Sequence, residues 1–464
     1  MLSQFRVEGL HGDKNLLVSL ERDRLIVVGE NGTGKSTLVN LIYYFITCQW
    51  TRLLEYRFQT IAARLGDNWV ELNHLTLEKH QAGRVRLARH LPPSVVRNLR
   101  SRLGEQQLAL FLDDEDAIFR LAAETHYPAN VLRRALHDMQ AESSTSDAMS
   151  SITKIIKSAL PGQVLYLPTY RRIEHDLQSI FRGIDLESQL NRLRDQIGQG
   201  RQRGGYVELV EFGMQDVEAT VRTRLAAVKD SLREGLSNLT ATYLRDVIRG
   251  IHAKADSQSV LALDLTNLDA MLARLDEATL PVYDKVRLRD RVISMQSRAQ
   301  ITAEDSVVVH FLSKLLELQH AQQLEESVLE RFVTTCNRYL VGKRLHFDNL
   351  DYKLYIAREE GGPSIQDKDS QTLSFKHLSS GEKQIVSLFS HIYLSGRNGF
   401  YVIIDEPELS LSVPWQRRFL PDILETGMCS GLIAVTHSPF VWENDLESHV
   451  HSMAEFAEAA RVAN

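Results

Sequence analysis

Hydrophobic and polar positions change period along the chain. Phe5-Arg6-Val7-Glu8-Gly9-Leu10 and Leu16-Leu17-Val18-Ser19-Leu20 alternate with period two, the pattern of strands with one buried face. Leu25-Ile26-Val27-Val28 is an unbroken apolar run, as expected of a strand buried on both faces. It leads through a glycine-rich stretch into Ser36-Thr37-Leu38-Val39-Asn40-Leu41-Ile42-Tyr43-Tyr44-Phe45, which reads as a buried helix.

From about 86 to 140, charges mix with apolar positions at helical spacing. This stretch ends in Glu142-Ser143-Ser144-Thr145-Ser146-Asp147, whose composition predicts a flexible linker. Val164-Leu165-Tyr166-Leu167-Pro168 reads as a further strand stopped by proline, and Gly198–Gly205 as a second flexible stretch. Helices are expected to dominate from about 215 to 340. There Leu315, Leu318, Val328, Phe332, Cys336 and Tyr339 fall near a helical period, which suits helices packed within one subunit or a hairpin arm for partner contact. Phe400-Tyr401-Val402-Ile403-Ile404 and Gly431-Leu432-Ile433-Ala434-Val435 are again short apolar runs. Each is followed by polar residues, and in an open parallel sheet that carboxyl edge is where ligands bind.

Composition narrows the class. The chain has 464 residues, 43% of them hydrophobic and 25% charged, which is ordinary globular usage with room for two or three structural units. A net charge of -6 gives no global pull toward nucleic acid. The most polarised basic stretch, Arg84 to Arg102, holds six arginines and no acid; a solvated helix face and a nucleic-acid face both fit it. Cys48, Cys336 and Cys429 match no zinc or CxxC spacing and read as reduced thiols of a cytoplasmic protein. The N-terminus lacks a signal-peptide pattern, and no apolar run approaches the roughly 20 residues that span a bilayer, so no membrane partner is expected.

Candidate chemistry begins at Gly29-Glu30-Asn31-Gly32-Thr33-Gly34-Lys35-Ser36-Thr37. It satisfies G-x-x-x-x-G-K-[ST], with a strand before it and a helix after it. Gly29, Gly32 and Gly34 let backbone N–H groups turn inward around phosphate oxygens, with Asn31, Thr33 and Thr37 in the same loop. The helix beginning near Lys35 adds its positive end. Lys35 is expected to reach the β- and γ-phosphates of ATP, and the Ser36 hydroxyl to bind Mg²⁺. Asp405, at the end of an apolar strand, would hold the same cation. Glu406 is the candidate for activating or orienting water. Leu378-Ser379-Ser380-Gly381-Glu382-Lys383-Gln384 opens a helix and offers N-cap oxygens and free N–H groups.

In this order the motifs resemble the ABC-type ATPase head shared by transporters, SMC proteins, RecF and the overcoming-lysogenization-defect family. Ser379, Gly381 and Glu382 align with the serine, second glycine and glutamine of that family's L-S-G-G-Q signature, which contacts the γ-phosphate held by another subunit. Ser380 and Glu382 depart from the pattern as they do in the SMC-like and defence branches. Val435-Thr436-His437-Ser438-Pro439, with His437 standing 31 residues after Glu406, looks like the family's switch histidine. Asp405-Glu406-Pro407-Glu408-Leu409-Ser410-Leu411-Ser412 resembles D-E-P-x-S-A-L-D, but Ser412 replaces the aspartate that usually crosses the dimer. The glutamine loop has two candidate places: Gln59, and the segment Pro168-Thr169-Tyr170-Arg171-Arg172 after the fourth strand named above. Arg171 and Arg172 could face phosphate, a DNA backbone, a partner acid or solvent.

The resemblance implies an α/β fold: an ABC-type ATPase head, a P-loop NTPase, assembled from both chain ends with an inserted α-helical or short coiled-coil region. The expected organisation is residues 1–85 as the N-terminal part of the head, 86–160 as a helical insertion, 161–225 as a head strand and lobe segment, 226–345 as a helical insertion or arm, and 346–464 as the C-terminal part of the head. It further implies a head-to-head dimer or higher homo-oligomer driven by ATP and Mg²⁺. No TOPRIM nuclease is expected after His437, and the inserted helices are expected to be far shorter than an SMC arm. The chain therefore looks most like ATPase subunits of prokaryotic anti-phage systems, PARIS before Septu, with a separate nuclease effector as partner and a phage protein as trigger. The alternative is a RecF- or SMC-like repair ATPase that binds nucleic acid directly.

Overall fold

The computed structural model describes residues 2–81, 115–125, 127–168, 206–208, 214–251, 262–275, 277, 280–298, 302, 305–359 and 372–459. The basic stretch from 84 to 102, the pair Arg171 and Arg172, and the stretch 198–205 lie outside the described residues. The chain divides into two compact units, one formed by residues 1–211 with 398–464, the other by residues 212–397.

The first unit holds two sheets. One is antiparallel and joins β1 (Leu2–Leu10), β2 (Lys14–Ser19), β4 (Thr60–Leu65), β5 (Asn68–Asn73) and β14 (Ala457–Ala459) in the order β14-β2-β1-β4-β5. The other joins β3 (Arg24–Val28), β6 (Val164–Leu167), β7 (Tyr206–Glu208), β11 (Phe400–Asp405), β12 (Cys429–Thr436) and β13 (Val450–Ser452) in the order β13-β3-β12-β11-β6-β7. Every pairing in this second sheet is parallel. Its central strands are mostly apolar because both faces are covered, and all six residues of β11 are buried.

Register decides where the chemistry lies. Thr436 pairs with Val28 and Asp405 with Val435, so β3, β12 and β11 end together at one carboxyl edge. At the opposite edge, a Cβ added to Gly162 would lie 1.6 Å from the Gly399 carbonyl oxygen, so only glycine lets the chain enter β6 there. Helix α1 (Lys35–Ile46) packs Leu38, Leu41, Ile42 and Phe45 into the core between the sheets, and α2 (Trp50–Leu53) follows it.

Further along, α3 (Glu115–Thr125) precedes α4 (Ala129–Ala159). The linker expected at Glu142–Asp147 is instead the middle of α4. Leu132 and Leu136 are buried before it, and Met149 and Ile156 after it, the latter two in the first unit's core. Helix propagation between two anchored ends outweighs the weak propensity of a short serine-threonine run.

The second unit is mainly helical, as expected between 215 and 340. It contains α5 (Met214–Ile248), α6 (Leu265–Ala273), α7 (Val282–Arg298), α8 (Ser306–Asn337) and α9 (Ser380–Leu394), with a small sheet of β8 (Lys343–Asp348), β9 (Lys353–Arg358) and β10 (Thr372–Leu373). Leu268, Met271, Val292, Met295, Val309 and Leu312 form its apolar centre. The periodic residues of α8 point inward, with Leu315, Phe332 and Cys336 buried. Beside them sits a buried polar knot: Arg274 grips Glu326 through two hydrogen bonds of 3.1 and 2.9 Å, and the Tyr352 hydroxyl donates to the same carboxylate at 3.0 Å. Burial, followed by that carboxylate, pushes the Tyr352 phenol up to about 12. Helix α9 is held against α8 by a Thr335–Tyr393 hydroxyl pair at 3.2 Å, and against the residues just after α8 by the Tyr339–Phe389 ring contact. Among the described residues, no helix is long and apolar enough to cross a membrane.

The last α-helix of the first unit, α10 (Val413–Glu425), lies in the crossover between the parallel strands β11 and β12.

Candidate functional site

The loop from Gly29 to Gly34 joins β3 to α1. Gly32 (φ 84°) and Gly34 (φ 99°) adopt left-handed conformations that a side chain would strain, and they turn the backbone into the first turn of α1. The first N–H groups of α1 have no intrahelical partner by geometry, and the helix dipole adds positive potential there. Thr33 closes the loop by donating its hydroxyl to the Glu30 carbonyl at 2.8 Å. Lys35 is 5% exposed, and its ammonium donates to the carbonyls of Gly29 and Glu30 at 2.8 Å each. A cation, several N–H donors and a helix N-terminus thus meet at one loop. That donor set fits a triphosphate.

Ser36 and Asp405 come together from opposite ends of the chain: the Ser36 hydroxyl donates to Asp405 Oδ1 at 3.2 Å. Hard oxygen ligands of this kind suit Mg²⁺, which takes one or two protein groups and fills the rest of its shell with phosphate oxygens and water. Among the described residues, no cluster of three or more His, Cys, Asp and Glu is placed to hold a metal, so a cation here would rest on this pair and on the nucleotide.

Glu406 is the next residue after β11. Its N–H still donates to the Val435 carbonyl at 2.8 Å, but its φ of 54° turns the chain sharply. Left-handed backbone at a non-glycine residue is strained, and such strain concentrates at functional sites. Burial pushes the Glu406 carboxyl above its ordinary range. The Asp405 and Glu408 carboxylates push the same way, against the opposing pull of His437 and Lys35. A carboxylate so raised is a stronger base toward a water molecule.

His437 follows the end of β12, and its side chain is 48% exposed. A residue the sequence reading left without a role holds it: Glu408, which is 8% exposed. Glu408 Oε1 accepts from the His437 N–H at 3.0 Å and lies 2.9 Å from His437 Nδ1, while Oε2 accepts the Thr436 hydroxyl at 2.8 Å. The only sequence signal was its place two residues after Glu406. Gln416 of α10 works on the same loop, accepting from the Ser438 hydroxyl at 2.7 Å and donating to the Leu411 carbonyl at 2.9 Å. Ser412, standing where the family pattern has aspartate, is the N-cap residue of α10 and makes no side-chain cap bond.

The signature segment belongs to the second unit. Ser379 caps α9 in a reciprocal capping box: the Glu382 N–H donates to its hydroxyl at 3.4 Å, and the Ser379 N–H donates to Glu382 Oε2 at 2.7 Å. Glu382 Oε2 also accepts from Lys343 Nζ at 2.7 Å. Burial raises the Glu382 carboxyl, but the Lys343 and Ser379 hydrogen bonds outweigh it and hold the group below its usual range. Its charge is therefore used inside the fold, and Gly381 is buried beside it. Lys343, on β8, carried no signal in the sequence. Gln59 sits ahead of β4, where its N–H donates to the Glu8 carbonyl and its side chain packs over Gly9.

Residues 272–443 match a protein-family model described as "AAA domain, putative AbiEii toxin, Type IV TA system". The match covers about a third of the chain, including Ser379, Asp405 and His437 but not the phosphate loop. No curated protein matches. Among solved structures, an Smc head domain with an extended coiled coil bound to the C-terminal domain of ScpA, from Pyrococcus furiosus, is similar at 12% identity and a TM-score of 0.35, covering 97% of this chain and 92% of that one. An Smc head domain with a coiled coil and joint from Pyrococcus yayanosii is similar at 11% identity and a TM-score of 0.29, covering 97% of this chain and 94% of that one. These superpositions are loose, and the site stands on its own geometry. The partial match to an AAA-domain model, the parallel sheet and the phosphate loop together fit a P-loop nucleotide-binding domain.

Proposed function

We propose that this chain binds and hydrolyses ATP with Mg²⁺ and uses the nucleotide as an assembly switch. The observation that carries the reading is the convergence of Lys35, Ser36, Asp405, Glu406 and His437 at the carboxyl edge of one parallel sheet. In this reading the phosphate loop from Gly29 to Thr37 cradles the triphosphate, and Ser36 and Asp405 hold the cation. Glu406 accepts a proton from the attacking water, and His437 faces the γ-phosphate. The segment carrying Ser379, Gly381 and Glu382 completes the site of another copy, so ATP favours head-to-head pairing and hydrolysis releases it.

The switch is proposed to serve an anti-phage defence system, as the sensor and regulator of a separate nuclease effector. The matched family is described as a putative toxin of a Type IV TA system, which supports a function beside a second gene product. The test is co-purification with the nuclease encoded beside this gene, in wild type and in Lys35→Ala. Nuclease capture by wild type, together with loss of ATP-driven pairing in Lys35→Ala, supports the proposal. A wild-type protein that hydrolyses ATP, binds no neighbouring nuclease and is stimulated by DNA with a steep salt dependence would replace it with the repair-ATPase reading.

A further inference from the structure

We infer that Glu408 is the positioning residue of His437, a fixed carboxylate that sets which ring nitrogen carries the proton and where the other one points. The inference rests on the ATPase reading and assigns a role to a residue that the motif analysis left unused.

The backbone makes the contact possible. Strand pairing between β11 and β12 persists through the Glu406 N–H, and the left-handed turn at Glu406 then folds Pro407 and Glu408 back over the end of β12. The Leu409 N–H returns to the Glu406 carbonyl at 3.2 Å, and the Leu411 N–H to the Glu408 carbonyl at 3.1 Å, which closes this turn. Glu406 and Glu408 are therefore delivered to different places by one tight loop.

A buried carboxylate needs donors, and here all three come from the histidine loop: the Thr436 hydroxyl, the His437 N–H and His437 Nδ1. Among the described residues, the ionic partner of Glu408 is His437 alone. A carboxylate at 2.9 Å from Nδ1 requires a proton on that nitrogen. The neutral ring is then the Nδ1–H tautomer with the Nε2 lone pair outward, and the charged ring presents Nε2–H in the same direction. Either way Nε2 is the working atom, aimed by its neighbour as metal-bound and catalytic histidines are aimed by theirs. Gln416 ties the two loops together, accepting from Ser438 on the histidine loop and donating to Leu411 on the Glu408 loop. Other charged groups at this edge include Asp405 at the end of β11, Glu406 just after it, Glu30 of the phosphate loop and Lys35 of α1, and among the described residues none of them pairs with Nδ1.

The test uses the full chain with ¹⁵N-labelled histidine, His437 being assigned by comparison with His437→Gln. Wild type at alkaline pH should show a protonated Nδ1 and an unprotonated Nε2, and Glu408→Ala should lose that preference. In steady-state assays Glu408→Ala should lower kcat about 10- to 100-fold with little change in KM for ATP. Glu408→Gln, whose amide oxygen can accept both the N–H and Nδ1–H while its NH₂ group turns to Thr436, should recover most of that loss. In a His437→Ala background, Glu408→Ala should cost nothing further, because both changes remove one function. An unchanged tautomer in Glu408→Ala, additive losses in the double variant, or a Gln variant as impaired as the Ala variant would each overturn the inference. A wild-type protein that does not hydrolyse ATP would sink the ATPase reading instead, and the tautomer measurement would still decide the role of Glu408.

Discussion

The Ser36 hydroxyl and the Asp405 carboxylate lie 3.2 Å apart although 369 residues separate them in the chain. The parallel pairing of β3 and β11 with β12 makes this contact, since all three strands end at the same edge. A two-oxygen site of this kind binds Mg²⁺ weakly without nucleotide. Asp405→Asn should therefore raise the Mg²⁺ concentration needed for half-maximal turnover at least about ten-fold, and Ser36→Ala should act in the same direction less strongly. Magnesium titrations of ATPase activity measure both. An unchanged magnesium requirement in Asp405→Asn would remove Asp405 from the metal site.

Glu406 couples the stability of the fold to pH. Its folded-state pKa lies above the unfolded value, first through burial and then through Asp405 and Glu408. Between the two values the folded protein holds more protons than the unfolded chain, so stability falls as pH rises through that window. In the metal-free protein, Glu406→Gln should unfold at a higher temperature than wild type near pH 7. The difference should vanish at about pH 4, below the ordinary carboxylate value. The same variant should lose ATP turnover by at least about a hundred-fold while still binding nucleotide. Parallel melts at the two pH values test the first claim, and single-turnover assays the second.

Lys343 and Glu382 form the second unit's equivalent test. Glu382 is 3% exposed and held below its usual pKa, so its contribution is present above the unfolded value and lost as pH falls through the folded one. Lys343→Met would strand a buried carboxylate and should destabilise this unit by about 1–3 kcal/mol near neutral pH. That penalty should shrink on acidification below the ordinary carboxylate range. Urea denaturation at the two pH values, followed by a probe in the second unit, would show it.

Gly162 is a packing prediction with no chemistry in it. A methyl group there would meet the Gly399 carbonyl oxygen at 1.6 Å, a backbone atom that cannot rotate away. Gly162→Ala should cost about 3 kcal/mol or more by displacing the start of β6 from β11. Gly66→Ala, whose added methyl meets nothing within 4 Å, serves as the control for backbone strain at an exposed turn. Equal melting temperatures for the two variants would contradict the packing account.

Much of the head was legible in the sequence because it rests on local rules. Period-two and unbroken apolar runs announced β1, β2, β3, β6, β11 and β12, and the spacing of glycines and lysine announced a turn that ends in a helix N-terminus. The serine-rich run at Glu142–Asp147 misled for the opposite reason. Composition suggested a break, but anchors on both sides of it belong to one long helix.

The chain by itself therefore determined the order of motifs and the type of element carrying each, since hydrophobic period and turn chemistry act over a few residues. Only the tertiary structure decided which side chains share a site. Ser36 reaches Asp405 through sheet register, Lys343 on β8 pairs with Glu382 on helix α9, and Glu408 meets His437 because the left-handed turn at Glu406 reverses the chain. Side-chain direction after such a turn, and distance across hundreds of residues, leave no trace in hydrophobic period, and that is why the residue holding His437 was invisible until the fold placed it there.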